Sequence, residues 1–416
     1  MERRKIRVYV EEAGPLKNQS YEIPLPGITL FIGSNISGKT LAGIMASSTL
    51  LLTINYYREL VEALGFETYE EEELPGVDLL LQMISRYDPL GLKEYVSHDE
   101  LLDVIKDVYG DDPVKILYRY LYTCVLLSEL NLVFDVSPGD KRKRKRYDIK
   151  YYLEIENCLK IDVSLRIPII DPMKDLLDQY VRVEYNCEEK YLGLALLEPY
   201  NSYKRIVYPD KSRSPSEEIV ARITANGSNI QGKLVREIRS LLAKTLSLSG
   251  LPIEREEEIK IQPSLPTALS PTKIRIGKNI VEEHFFSKGL RVLFSHAVYI
   301  SAMYELMSKY EVSPIVYLDE PEVSLDTYIV YNLLDLYLSL INDLNVPYAI
   351  IISPHREEIL HKLELTISRN IVEPDSICVY EIVWKDLGKA SLEKRKFDKA
   401  LEKYGIKRLE DLLLEI

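Results

Sequence analysis

Alternating and continuous apolar stretches divide the chain into strand-rich and helix-rich parts. Near the N-terminus, IRVYVE and YEIPL predict two strands, and the apolar run GITLFIG predicts a short buried third strand. The apolar stretch from Leu41 to Tyr57 comes next and predicts a buried helix. Residues 58–140 predict several acidic amphipathic helices that Pro and Gly residues separate.

The patterning changes in the second half of the chain. Between residues 151 and 200, three strand-like runs (YYLEIENCLKIDVSLRIPI, QYVRVEYN and YLGLALLEPY) with turn residues between them predict antiparallel pairing. Residues 250–280 are rich in Pro and predict irregular structure. From residue 281 strands and helices alternate, and SPIVYLDEPE and VPYAIIISPH are the clearest buried strands. This order predicts an α/β core.

Composition narrows the class of protein. The 416 residues are 46% hydrophobic and 28% charged, which fits a globular protein with a sizeable core. There is no uninterrupted apolar run of membrane-spanning length, and the N-terminus lacks the apolar segment of a signal peptide, so we expect a cytoplasmic protein without a membrane partner. None of the four cysteines forms a CxxC pair, and this predicts reduced thiols rather than a zinc site or disulfides.

Charge is unevenly distributed along the chain. The net charge is −12, but residues 41–140 contain 19 Asp and Glu against 6 Lys and Arg, so the rest of the chain is nearly neutral. The acidic segment is an unlikely contact for a phosphate backbone and is either a docking surface for a partner or a solubilising lobe. The six consecutive cations from Lys141 to Arg146 are either a solvated loop or a nucleic-acid contact.

The octapeptide GSNISGKT, residues 33–40, fits the pattern GxxxxGK[ST] and stands between a predicted strand and a predicted helix. Gly33 and Gly38 allow the backbone to wrap closely, so that its N–H groups face a phosphate. The N-terminus of the following helix attracts the same anion. Lys39 is expected to reach the β- and γ-phosphates, and the Thr40 hydroxyl to coordinate Mg²⁺.

Two further predicted strands end in residues with candidate chemistry. SPIVYLDEPE ends in Asp319, which suits the ligand shell of Mg²⁺, and in Glu320, which would polarise an attacking water. Because side chains alternate along a strand, these two carboxylates are expected to point differently. YAIIISPH ends in His355, which is either an ordinary satisfied histidine or a contact of the γ-phosphate.

In this order the motifs resemble those of the ABC-type ATPases, in particular the SMC-like and OLD-like soluble branch. GSNISGKT is similar to that branch's GxNxSGK[ST], and DEPEVSLD, residues 319–326, follows the Walker B and D-loop pattern DEPxxxLD. FSKGLR, residues 286–291, resembles the SxGxR form of the signature motif rather than the LSGGQ of transporters. His355 stands at the place of the switch histidine. The resemblance covers residues 4–57 and about 281–384.

The resemblance implies a role for each matching residue. Glu320 is the catalytic base, Asp319 and Thr40 hold Mg²⁺, and His355 and Lys39 act on the γ-phosphate. Ser287 and Gly289 contact the ATP of a second subunit, and Asp326 belongs to the loop that crosses the dimer. The residues implied to bind the phosphates are Gly33, Ser34, Asn35, Ile36, Ser37, Gly38, Lys39 and Thr40.

Two features depart from the family pattern. Lys288 stands inside the signature, where the family often has a small or acidic residue. The glutamine of the Q-loop has three candidates in the sequence, Gln82, Gln179 and Gln231, and none of them stands in a context that selects it. The residues that recognise adenine are not identified by any motif.

The predicted fold class is α/β: a P-loop ABC-ATPase head with a mixed main sheet, an antiparallel β lobe and a helical insertion. The predicted division is an ATPase-core part in residues 1–57, the acidic helical insertion in 58–140, the β lobe with helices in 141–280, and the second core part with the C-terminal tail in 281–416.

The function that the resemblance implies is ATP binding and hydrolysis, with ATP and Mg²⁺ as ligands and an ATP-dependent homodimer as the active form. We expect this cycle to act on DNA, in repair, chromosome organisation or defence, with Lys141–Arg146 as the candidate contact. The first alternative is an ATP-gated module that regulates a separate nuclease or other effector protein without touching DNA. The nucleotide-binding subunit of a transporter is a further alternative, against which the signature argues.

Overall fold

The computed structural model describes the candidate site, the sheet around it and several shorter segments. These are residues 4–34, 37–47, 50–51, 126, 130, 147–167, 180–187, 189–207, 216–217, 220–221, 240, 259–262, 273–276, 279–282, 287–309, 311–343, 348–386 and 388–403. The predicted acidic helices of residues 58–140, apart from two helical positions at 126 and 130, lie outside the described residues. The cation run Lys141–Arg146 and residues 404–416 also lie outside them.

The described chain contains fifteen strands and six helices. The strands are β1 (Arg4–Ala13), β2 (Leu16–Leu25), β3 (Gly27–Gly33), β4 (Leu50–Leu51), β5 (Tyr147–Ile155), β6 (Leu159–Ile167), β7 (Tyr180–Tyr185), β8 (Lys190–Leu196), β9 (Ile259–Gln262), β10 (Lys273–Ile276), β11 (Asn279–Glu282), β12 (Val312–Asp319), β13 (Ala349–Ser353), β14 (Ile377–Asp386) and β15 (Lys389–Arg395). The helices are α1 (Lys39–Ser47), α2 (Pro199–Val207), α3 (Lys288–Lys309), α4 (Thr327–Asp343), α5 (Glu358–Ser368) and α6 (Phe397–Lys403), with a 3₁₀ turn at Pro374–Ser376.

Twelve of these strands form one mixed sheet in the order β4-β8-β12-β13-β3-β14-β15-β2-β1-β5-β6-β7. The neighbouring strands at its centre are parallel, in the order β8, β12, β13, β3 and β14. The neighbouring strands of its flank pair antiparallel, in the order β2, β1, β5, β6 and β7. The parallel centre and the antiparallel flank match the predicted α/β fold class with a mixed main sheet and an antiparallel lobe, which is confirmed. The helical insertion of that prediction falls outside the described residues.

The parallel centre brings the ends of the predicted strands to one edge. β12 and β13, which were predicted from their apolar runs, are almost entirely buried, as parallel strands covered on both faces must be. β3 pairs with β13 on one side and with β14 on the other. Since parallel strands end at the same edge of the sheet, the segments after β3, β12 and β13 all lie there.

Three local predictions were wrong. The run YLGLALLEPY forms β8, which pairs parallel to β12 instead of antiparallel within the lobe. Its burial is continuous, because it belongs to the covered centre of the sheet. The helix predicted for residues 41–57 ends at Ser47 and is followed by the short strand β4. Residues 250–280 were predicted to be irregular, but β9 and β10 lie within them and form a three-stranded antiparallel sheet with β11.

The prediction of reduced thiols was wrong for Cys158 and Cys187, which form a disulfide. Cys378 is a free cysteine, and Cys124 lies outside the described residues. Cys158 lies in the turn between β5 and β6, and Cys187 follows β7, so the pairing of β6 with β7 brings them together with a Cα–Cα distance of 4.7 Å. The Asn186 N–H donates to the Cys158 carbonyl at 2.8 Å beside this link. Nothing in the spacing of 29 residues indicated the contact.

None of the helices in the described part of the chain combines the length and the hydropathy that a membrane crossing requires.

Candidate functional site

The loop between β3 and α1 contains a tight turn at Gly38. Gly38 has a φ of +99°, a conformation that a side chain would strain, and a Cβ there would lie 3.1 Å from the Pro15 ring. The Ser37 hydroxyl oxygen is buried and has no hydrogen-bond partner among the described residues. This hydroxyl is therefore available to donate a hydrogen bond to a ligand oxygen. Asn35 and Ile36 of the predicted loop lie outside the described residues.

Lys39 lies at the start of α1 with its side chain almost completely buried. Its Nζ donates to the Gly33 carbonyl at 2.9 Å, so the ammonium group is held over the loop. Burial lowers the pKa of Lys39, and the nearby carboxylates of Asp319, Glu320 and Glu322 partly oppose this effect. The negative charges of these three carboxylates thus partly compensate the cost of burying the ammonium group.

Asp319 and Thr40 meet at the edge of the sheet. The Thr40 Oγ1 lies 3.4 Å from each carboxylate oxygen of Asp319. The Tyr317 hydroxyl donates to Asp319 Oδ1 at 2.6 Å and also lies 3.0 Å from the Ser353 hydroxyl. Burial raises the pKa of Asp319 to about 6. A buried carboxylate beside a hydroxyl is a set of hard oxygen ligands, and these residues therefore fit Mg²⁺.

Glu320 and His355 are in direct contact. Glu320 has a φ of +48°, which is unfavourable for a residue with a side chain, and its N–H donates to the Ser353 carbonyl at 3.1 Å. Glu320 Oε1 lies 2.8 Å from His355 Nε2, at the end of β13. The left-handed backbone at Glu320, which strand alternation does not predict, sets the course of the chain after β12.

Glu322 is a buried residue of the site whose role the sequence did not indicate. Its Oε1 accepts the backbone N–H groups of His355 and Arg356, and its Oε2 has no partner among the described residues. The guanidinium of Arg356 donates to the Leu325 carbonyl at 2.7 Å. These contacts join the turn after β12 to the turn after β13, so the position of His355 depends on Glu322.

A cavity of about 430 Å³ opens beside Asp319 and Glu320. Its other wall is formed by the end of β8 and the start of α2, a segment that was not predicted to take part in the site. Glu198 has a φ of +47° there. The sequence signal for this wall was the buried strand YLGLALL, but its place beside β12 is set by long-range pairing. The lining residues are Thr40, Leu197, Glu198, Pro199, Tyr200, Asn201, Arg205, Asp319, Glu320 and Val323.

The three glutamines considered for the Q-loop, Gln82, Gln179 and Gln231, all lie outside the described residues. In the described part of the cavity, polar side chains of Glu198 and Asn201 line the wall next to β12.

The predicted signature segment forms the N-terminus of α3. Ser287 caps this helix, because its hydroxyl accepts the Leu290 N–H at 3.3 Å. A glycine is needed at position 289 because the start of α3 lies close to the backbone of Ser324. A Cβ there would lie 2.5 Å from the Ser324 carbonyl oxygen. Among the described residues that line the cavity, neither Ser287 nor Gly289 is present. Ser287 and Lys288 are exposed, so this helix end is open to solvent.

The signature helix contacts the cavity wall through Tyr200. The Lys288 ammonium lies 5.4 Å from the centre of the Tyr200 ring, and the Arg291 guanidinium donates to the Tyr200 hydroxyl at 3.3 Å. Lys288, for which the sequence suggested no role, therefore makes a cation–π contact with a residue of the wall. Asp326 caps α4, with Oδ1 accepting the Tyr328 N–H at 2.9 Å.

In the described chain, the loop of β3, the end of β12 and the end of β13 bring five of the predicted site residues together. These are Lys39, Thr40, Asp319, Glu320 and His355. The signature residues Ser287 and Gly289 contribute a separate surface, as does Asp326.

Comparisons with known proteins give structural similarities only. No protein-family model matches the chain, and no curated protein matches it. An SMC head bound to the C-winged helix domain of ScpA matches with a TM-score of 0.42 and 11% identity, over 96% of this chain and 99% of that chain. The SMC head domain from Thermotoga maritima matches with a TM-score of 0.37 and 11% identity, over 95% and 99%. RecF with ATP, from the RecFOR pathway, matches with a TM-score of 0.38 and 11% identity, over 94% and 98%. The fold assignment rests on the strand order and the loop geometry given above.

Proposed function

We propose that this chain is an ATPase that binds ATP with Mg²⁺, dimerises around the nucleotide and hydrolyses it. The observation that carries the proposal is the convergence of a phosphate-type loop, a buried carboxylate and a Glu–His pair at one edge of a parallel sheet. Each element supplies one part of phosphoryl transfer to water: anion binding, metal binding and activation of the nucleophile.

The phosphates are held by the loop from Gly33 to Thr40. Its backbone N–H groups and the N-terminus of α1 attract the anion, and the Ser37 hydroxyl gains the partner that it lacks. Lys39 releases the Gly33 carbonyl and moves its ammonium group onto the β- and γ-phosphates. Thr40 and Asp319 are the residues that would hold Mg²⁺, which when bound neutralises charge that develops on the phosphate oxygens.

Glu320 activates the water that attacks the γ-phosphorus. Its carboxylate accepts a proton from that water while the oxygen bonds to phosphorus, and the bond to the ADP oxygen breaks. His355 holds the Glu320 carboxylate at 2.8 Å and is oriented through its own backbone by Glu322. A histidine in this place also contacts the γ-phosphate, so it links the state of the nucleotide to the turn after β13.

The proposed dimerisation is based on the N-terminus of α3, which is open to solvent in one subunit. Ser287, which caps the helix N-terminus, is exposed, and among the described residues neither Ser287 nor Gly289 lines the cavity of its own subunit. A helix N-terminus attracts an anion, and the γ-phosphate of a second subunit supplies one. Asp326, at the neighbouring start of α4, is then part of the same interface. ATP that contacts both subunits only in the closed dimer stabilises that dimer by mass action.

The test measures ATP binding and turnover by the full chain, two site variants and one control variant. Lys39→Ala should lose ATP binding, whereas Glu320→Gln should keep ATP binding and lose turnover by at least about 100-fold, because only the base is removed. Glu402→Gln, an exposed carboxylate of α6, is the matched control and should turn over ATP like the parent chain. Equal turnover by Glu320→Gln and the parent would contradict the assignment of the base.

We further propose that this ATPase binds and acts on DNA, with the cation run Lys141–Arg146 as the contact. Six adjacent cations would release counterions on binding, so the affinity should fall steeply with salt. Replacing these six residues with Gln and Ser should abolish salt-dependent DNA binding and leave ATP hydrolysis in place. If the parent chain does not bind DNA, the result would favour the alternative function, an ATP-gated module that regulates a separate effector protein.

A further inference from the structure

The motifs do not identify a residue that contacts the base of a nucleotide, and Trp384 lies on a strand next to the phosphate loop. It is the only tryptophan of the chain, and 39% of it is exposed. It belongs to β14, which pairs parallel to β3 so that Ile382 is opposite Gly33, the first residue of the phosphate loop. Trp384 therefore lies two residues beyond that pair, at the edge of the sheet where the loop begins.

The strand register shows which face of the sheet Trp384 occupies. Tyr317 packs against α1 at Gly43, and residues in register with it across the sheet are Ile351, Thr29 and Cys378. Residues in register share a face, and every second residue along β14 from Cys378 returns to it. Trp384 is the third such residue, and the irregularity of β14 comes only after it. Its indole is therefore on the face that carries α1 and the phosphate loop.

Ring contacts support the same assignment. Tyr380, which precedes Trp384 by four residues, packs its ring against Phe31 and Tyr21 at centroid distances of 5.9 Å each. The Tyr21 hydroxyl donates to the Ala42 carbonyl within α1 at 2.7 Å. These aromatic side chains of β14 and β2 thus lie on the α1 side of the sheet.

The β14–β15 hairpin is also tied directly to the phosphate loop. Ala390, the cross-strand partner of Trp384, donates its N–H to the Pro15 carbonyl at 2.8 Å. Pro15 in turn packs against Gly38, where a Cβ would lie 3.1 Å from its ring. The hairpin therefore holds a fixed position relative to the loop.

The direction in which the base leaves the loop follows from the reacting groups. Asp319, Glu320 and His355 are at the ends of β12 and β13, so the γ-phosphate lies on that side of β3. In an extended nucleotide with its γ-phosphate there, the ribose and base would lie on the other side of β3, which is the side of β14. Strands are about 4.8 Å apart, so the end of β14 is roughly 14 Å from the end of β12. An extended nucleoside triphosphate can bridge this separation.

From these contacts we propose that Trp384 is the stacking platform for the purine base of the bound nucleoside triphosphate. The indole offers a large flat π-surface, and stacking of a base on an aromatic ring is favourable for every base. The inference rests on the proposed ATP binding and adds the base subsite to it. The platform distinguishes a nucleotide from a bare polyphosphate, which the loop alone does not.

The test compares ATP with inorganic tripolyphosphate, both with Mg²⁺, on the full chain. Because Trp384 is the only tryptophan, its emission reports on this position alone when tyrosines are not excited. ATP should change the tryptophan emission in a saturable way, whereas tripolyphosphate should bind, as measured by calorimetry, without that change. An unchanged emission at saturating ATP would overturn the platform.

Affinities of variants give the second readout. Trp384→Ala should weaken ATP binding roughly 5- to 150-fold and leave the affinity for tripolyphosphate unchanged, and Trp384→Phe should restore most of the loss. Tyr9→Ala, an exposed aromatic of β1, is the matched control and should bind both ligands normally. Equal weakening of both ligands, or of neither, would refute the platform while leaving the ATPase intact. Failure of the parent chain to bind either ligand would refute both proposals.

Discussion

His296 is a fully buried histidine that links α3 to the turn after β12. It lies in α3, and its Nε2 is 3.0 Å from the Pro321 carbonyl, directly after Glu320. Since a carbonyl only accepts, Nε2 carries the proton, and Nδ1 accepts the hydrogen bond of the Tyr337 hydroxyl at 2.9 Å. One neutral imidazole therefore joins α3, the turn after β12 and α4.

This burial makes the folding stability depend on pH. Burial lowers the pKa of His296 to about 4, whereas an unfolded histidine has a pKa near 6.5. Below pH 6.5 the unfolded chain binds a proton that the folded chain rejects, so stability falls as the pH decreases towards 4. From pH 7.5 to 5 the expected loss from this residue is about 2 kcal/mol.

A variant isolates this contribution. The pKa of Asp319, raised to about 6 by burial, changes stability in the opposite direction over an overlapping range, so the parent chain alone does not reveal either group. His296→Gln keeps an N–H for the Pro321 carbonyl and does not titrate. The difference in urea unfolding free energy between parent and variant should therefore shrink on acidification. Parallel stability curves of the two proteins between pH 7.5 and 5 would contradict the account.

At the scale of elements, α1 is fixed on the sheet by a contact between Gly43 and Tyr317. A Cβ at residue 43 would lie 2.1 Å from the Tyr317 ring, whose hydroxyl is held by Asp319 and Ser353. The ring cannot move aside without releasing Asp319. The glycine thus sets the distance between the phosphate loop and the carboxylate of β12.

Gly43→Ala should therefore be destabilising, although Ala usually stabilises a helix relative to Gly. Overpacking against a fixed ring should lower the unfolding free energy by about 1–3 kcal/mol, measured by thermal or urea unfolding. In a Tyr317→Leu background the space is available, and the same substitution should be neutral or stabilising. A more stable Gly43→Ala in the parent background would show that the ring is free to move.

Local patterns predicted the elements that carry the motifs but missed the wall of the cavity. β3 and β12 were identified because a continuous apolar run ends in residues with recognisable chemistry. β8 has a similar run, YLGLALL, but its parallel pairing with β12 joins residues more than 100 positions apart, and no local periodicity encodes that. The sequence therefore did not predict that Tyr200 and Glu198 line the cavity. Glu322 and His296 were missed because their contacts arise only from packing.

At the scale of the molecule, the antiparallel flank and the parallel centre form one continuous sheet. The disulfide between Cys158 and Cys187 links the far end of this flank, and β14 and β15 connect the flank to the phosphate loop. The flank also contacts the phosphate loop and α1 directly, because Pro15 packs against Gly38 and the Tyr21 hydroxyl donates to the Ala42 carbonyl at 2.7 Å.

ATP is expected to complete a dimer of this chain, and the molar mass of Glu320→Gln with ATP and Mg²⁺ shows whether it does. Light scattering during size exclusion measures that mass, with the nucleotide content of the peak determined in parallel. The account predicts a monomer of 48.1 kDa without ATP and twice that mass with ATP, and Ser287→Arg should prevent the shift while ATP remains bound. A Glu320→Gln protein that is saturated with ATP and still has the mass of a monomer would contradict it.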